Sequence, residues 1–127
     1  MMTKTDFEDL QSPLTFIPII PGRGKAAALL EAREDWIETT VWVTARNQAI
    51  AVETGRTVGA DSANVLTIAM LRERIEKGQE PQPGDVLVVD EFSLLNHATD
   101  DRLIQGLAED GVIVKVLADL RSIQKGE

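Results

Sequence analysis

Apolar positions along this chain follow two rhythms that alternate. Dense runs rich in β-branched and aromatic residues recur at "LTFIPII" (14–20), "ETTVWVTA" (38–45), "DVLVVDE" (85–91) and "VIVKVLAD" (112–119), and each reads as a strand. Pro18 has no amide hydrogen, so it is expected at the end of the first strand. "DVLVVDE" is almost wholly apolar before its two acids, which predicts a central parallel strand buried on both faces. Between the runs the spacing changes to three and four. A helix is expected from about Lys25 to Trp36, with Leu29, Leu30, Trp36 and Ile37 inward and Glu31, Glu34 and Asp35 outward. "RNQAIAVETG" predicts a helix closed by Gly55. "ADSANVLTIAMLRERIEKG" predicts one continuous helix, capped by Ser62, stopped by Gly78 and placing Val65, Ile68, Leu71 and Ile75 on one stripe. "EPQPG" is a loop, and "ATDDRLIQGLAEDG" is a last helix ending at Gly111.

Strand and helix thus alternate about four times. That order predicts an α/β domain of three layers, a mainly parallel central sheet with right-handed crossovers and helices on both faces. Residues 1–13 are polar and acidic, end at Ser12-Pro13, and read as an arm before a single domain spanning 14–127. In sheets of this type ligands sit beyond the carboxyl ends of the strands. Pro21 to Lys25, Asp90-Glu91 and Asp119 therefore share one edge.

Composition narrows the picture without changing it. A length of 127 residues suits one core. No run approaches the roughly 18 apolar residues of a membrane helix, and "MMTKTDFEDL" carries acids where a signal peptide is apolar, so no membrane partner is expected. The absence of cysteine excludes disulfides and thiolate metal sites, and fits a cytoplasmic location. A net charge of −8 opposes general attraction to nucleic acid, so DNA contact requires a local patch. The single histidine, His97, has no second imidazole to share a metal with and reads as a surface residue, while Trp36 and Trp42 read as core rather than as base-stacking platforms.

Candidate chemistry lies in two segments. "PGRGK" before a helix resembles a phosphate loop, in which backbone amides and a helix N-terminus face anionic oxygens while a lysine reaches the outer phosphates. Aligned with G-x-x-x-x-G-K-[ST], Gly22, Gly24 and Lys25 suit the loop, but Ile19 stands at the first glycine and Ala26 at the hydroxyl that ligates magnesium. Alone, "GRGK" is a weak signal that reads more readily as a tight turn before a helix than as a phosphate loop. The second segment is the acid pair at the end of "VLVVDE", where Asp90 is placed to hold magnesium and Glu91 to position an attacking water. The alternative for both acids is simple capping of the helix that follows.

Taken in order, the segments resemble the motifs of superfamily 1 DNA helicases, in the branch of RecD-like helicases and conjugative relaxase-helicases. "VVDEFSLL" is similar to motif II, "VWVTARNQAI" to motif Ia with Thr44 and Ala49 matching, "NVLTIAMLRERI" to the next threonine segment with Thr67 matching, and "VKVLADLRSIQKGE" to motif III. The resemblance runs from about Leu14 to Glu127 and implies a RecA-like P-loop domain, the first motor lobe of a helicase. It implies nucleotide contacts at Gly22, Gly24, Lys25, Asp90 and Asp119, water positioning by Glu91, magnesium on Asp90, and single-stranded DNA contacts at Thr44, Arg46 and Thr67, with Arg72 and Arg74 nearby.

Departures accompany the matches. Besides Ile19 and Ala26, Phe92 replaces a small residue, and Ala118 and Ser122 replace the glycine and glutamine of motif III. The expectation is a degenerate lobe, not active alone, that binds ATP and Mg weakly and serves as a DNA-contacting or structural part of a DNA-processing or conjugation system. Its partners would be single-stranded DNA, bound weakly and in a salt-sensitive way, and a second motor lobe or a relaxase. The alternatives are a lobe that hydrolyses ATP with a partner lobe, and a protein-interaction scaffold.

Overall fold

The structure is a computed structural model that describes residues 14–19 and 24–119. Its strands are β1 (Leu14–Ile19), β2 (Val41–Ala45), β3 (Val65–Thr67), β4 (Val86–Val89) and β5 (Ile113–Asp119). Its helices are α1 (Gly24–Ala32), α2 (Gln48–Val58), α3 (Ile68–Glu76) and α4 (Ala98–Glu109), with short 3-10 turns at Arg33–Trp36, Ser62–Asn64 and Phe92–Asn96. The five strands form one sheet in the order β1-β5-β4-β2-β3, every pair parallel. The expected α/β architecture with a parallel central sheet and helices on both faces is present.

β4 lies at the centre, as its unbroken apolar run requires. Leu87 and Val89 point into a core shared with Leu71 of α3 and Ile104 and Leu107 of α4. Val86 and Val88 point the other way, into a core shared with Leu29 of α1 and Ala51 and Val58 of α2. All four β4 side chains are buried, each contributing about 1.5 to 3 kcal/mol by leaving water. β1 is an edge strand, and that position tolerates Pro18 within it.

Two expected helices are redrawn. The helix over 46–55 does not close at Gly55; it runs on to Val58 and ends at Gly59, whose φ of 75° suits a left-handed cap. Gly55 instead lies inside the helix as a point of close approach. A Cβ there would sit 2.6 Å from Cγ2 of Val65, so the missing side chain is what lets β3 lie against α2. The continuous helix over 60–78 is likewise absent. Its first part is a 3-10 turn capped by Asp61 rather than Ser62, followed by β3, which pairs with β2 in the register Val43↔Val65. Only then does α3 begin, with the Thr67 hydroxyl accepting from the Met70 amide at 3.2 Å. Val65 and Leu66 satisfy the helical spacing, but pairing with β2 buries them and overrides it.

The expected inward stripe of the first helix is also half right. Leu29 and Trp36 are buried, whereas Leu30 and Ile37 are exposed, Ile37 at 84%. The helix tightens into a 3-10 turn from Arg33, and residues one step past the buried pair rotate away from the sheet. Both tryptophans belong to the core, and the Trp42 indole N–H donates to Asp85 Oδ2 at 3.0 Å. His97 is exposed, at the residue before α4.

Candidate functional site

The strand ends converge as the topology demands. β1 leads toward α1, whose first residue Gly24 has a φ of 80° that a side chain would strain. Gly22 lies outside the described residues. From the first turn of α1, Lys25 reaches across to the end of β4, and its Nζ lies 2.9 Å from Asp90 Oδ2. Asp90 is held on three sides. Its amide donates to the Thr44 carbonyl at 2.9 Å, and the Thr54 hydroxyl, from α2, also donates to Oδ2. The Asp90 side chain is 7% exposed and that of Lys25 is 30% exposed, so this pair is largely withdrawn from water. Burying a carboxylate is costly without a cation and hydrogen bonds; here both are supplied.

Glu91 follows immediately and differs in kind. Its backbone has φ 128° and ψ 114°, and it is the one non-glycine residue with positive φ among the described residues. Such a conformation costs about 1 to 3 kcal/mol. Its side chain is exposed and stands 3.9 Å from Arg46 Nη2, in the turn after β2. The last residue of β5, Asp119, is in register with Ile19 of β1, which puts its backbone on the same strand-end edge.

The candidate DNA residues lie near one another, Thr44 and Arg46 flanking Ala45, whose register partner on β3 is Thr67, but they differ in exposure and bonding. Thr44 is fully buried, its register partners Leu66 and Val89 belong to the α3–α4 core, and its hydroxyl has no hydrogen-bond partner among the described residues. Its side chain is therefore withdrawn from solvent. Arg72 is ion-paired with Asp100 and ties α3 to α4. The Arg74 guanidinium donates to the Ala63 carbonyl at 3.0 Å, and the Thr67 hydroxyl is occupied in capping α3. Arg46, 58% exposed, is the candidate that faces solvent beside the strand-end acids.

Thr54 is the site residue that spacing did not single out. Its signal was available: Ala51, Thr54 and Val58 fall on one helical stripe, and a hydroxyl on a buried stripe needs a partner. A cavity of about 370 Å³ lies alongside, bounded by Gly24, Phe16, Pro18, Trp36 and Lys115. It runs along α1 and includes none of Lys25, Asp90, Glu91 and Arg46.

No group of three or more histidine, cysteine or acidic side chains suited to a metal occurs among the described residues. Ala26 offers no oxygen, and Asp90 Oδ2 already receives two donors. One carboxylate fits magnesium only in the way that ion is held with substrate phosphates and water completing its shell.

A parallel sheet with a glycine-lysine pair opening a helix, opposite an acid at the end of the central strand, is the arrangement of a P-loop domain of the helicase-like kind. The protein belongs to the AAA domain family, whose model matches residues 11–127. No curated protein matches the chain.

Proposed function

We propose that the protein is a nucleotide-binding lobe of a DNA-processing system that takes Mg-ATP weakly and turns it over little by itself. The observation that carries this reading is the 2.9 Å contact between Lys25 and Asp90. It unites the two residues that phosphate binding needs, and it also means that an incoming phosphate must compete with Asp90 for the lysine. Ala26 removes the hydroxyl that would help hold the metal, which lowers affinity further. If nucleotide binds, Lys25 would meet its phosphates, Asp90 would hold the accompanying magnesium and Glu91 would be the group to position an attacking water. Magnesium would supply charge neutralisation of the phosphates; Asp90 and Lys25 supply its location.

Titration calorimetry with Mg-ATP tests this. Weak binding, in the range of about 0.1 to 1 mM, lost in Lys25→Ala and in Asp90→Ala, is the expected result. Absence of binding, or binding indifferent to both changes, overturns it; micromolar affinity with steady hydrolysis favours the active-lobe alternative. Contact with single-stranded DNA is a narrower reading that rests on Arg46, since it stands exposed at the same edge.

A further inference from the structure

Asp90 has a second donor whose origin is unexpected. In the phosphate-loop pattern the hydroxyl near the metal comes from the residue after the lysine, but that residue here is Ala26. The hydroxyl that the structure does bring to Asp90 comes from α2, from Thr54, on a different element and 36 positions before the acid in sequence. Thr54 is fully buried, so its hydroxyl cannot meet a ligand in solvent. What it meets is Oδ2 of Asp90, the same oxygen that receives Lys25.

We infer that Thr54 is a positioning residue of the nucleotide site: its hydroxyl sets the rotation of the Asp90 carboxylate so that Oδ2 faces Lys25. The physical basis is that the terminal torsion of an aspartate has only a broad intrinsic preference, so the donors around the carboxylate decide its orientation. The Asp90 amide is spent on the Thr44 carbonyl, so it does not orient the side chain. Lys25 has a flexible stem and three rotatable donors, which makes it a poor guide. Thr54 is held by a helix packed on the sheet, and its β-branched side chain has few rotamers in a helix. Rigidity therefore enters the pair from α2. The inference deepens the nucleotide-site reading and rests on it for its meaning, although the contact itself exists without ligand.

The test compares Thr54→Val, which keeps the shape and removes the hydroxyl, with Thr54→Ser, which keeps the hydroxyl and removes the methyl. Lysine acetylation of the ligand-free protein is followed by peptide mass spectrometry, with exposed Lys77 as internal reference. Lys25 held against Asp90 should react slowly in the parent. In Thr54→Val and in Asp90→Asn its rate relative to Lys77 should rise on the order of tenfold, the scale of a hydrogen bond to a charged group. In Thr54→Ser it should stay low. An unchanged rate in Thr54→Val, or an equal rise in Thr54→Ser, overturns the inference. If Thr54→Val does not fold, Thr54→Ala takes its place beside Thr54→Ser: lost protection in Thr54→Ala with retained protection in Thr54→Ser supports the role of the hydroxyl, and equal behaviour of the two rejects it. Mg-ATP calorimetry on the same proteins separates the two readings, because failure of the parent to bind removes the proposed function while the acetylation pattern still judges Thr54.

Discussion

Two neighbouring acids, Asp90 and Glu91, stand at the end of one strand and live under opposite rules. Asp90 is buried, lacks the positive φ of its neighbour, and is held by Lys25, Thr54 and its own amide. Glu91 is exposed, on strained backbone, and its 3.9 Å approach to Arg46 is solvated on both sides. A single step along the chain thus passes from a charge fixed by the fold to one presented by it. Burial explains the difference. Inside, a carboxylate must be matched or the domain loses stability; outside, water screens a poor match and the side chain stays free to meet something else.

The comparison breaks most readily at Lys25. Replacing it by Met leaves Asp90 buried with the Thr54 hydroxyl as its remaining side-chain donor, and unfolding by urea should show a loss of about 3 kcal/mol, the scale of a disrupted buried ion pair. A loss below about 0.5 kcal/mol would mean that Asp90 is solvated in solution and behaves like Glu91.

Glu91 should respond with the opposite sign. Glu91→Gly removes the Cβ from a backbone at φ 128°, so the domain should gain about 1 to 2 kcal/mol in the same experiment. Glu91→Ala keeps the strain and serves as control. If glycine and alanine behave alike, the strained turn does not persist in solution.

The smallest effect on stability belongs to Arg46. An exposed pair contributes little, so Arg46→Ala should change stability by less than about 0.5 kcal/mol. Fluorescence anisotropy with a labelled single-stranded oligonucleotide at low salt should nevertheless show reduced affinity, and Thr44→Val should leave binding unchanged because Thr44 is buried. Equal losses in both variants would mean that the β2–α2 turn opens in solution.

Much of the site was legible beforehand because strand chemistry is local. "VLVV" announces a strand buried on both faces, and the order of strands and helices then forces Lys25 and Asp90 to one edge. Thr54 was hidden for a corresponding reason: it sits between two segments that carry the pattern, and its polar partner is 36 residues away. Thr44 and Arg72 carry environments that position along the chain does not reveal: the first faces the core and the second is ion-paired with Asp100.

The sequence by itself determined the fold class, the strand-end edge and the identity of the lysine and the acid that meet there, because periodicity and crossover handedness act through neighbouring residues. Only the tertiary structure decided that Val65–Thr67 is a strand, that Gly55 is a notch rather than a stop, and that Asp90 is shared by Lys25 and Thr54. Each of those outcomes depends on groups distant along the chain competing for the same buried space or the same carboxylate oxygen, and such competition is resolved only when the sheet and helices close upon one another.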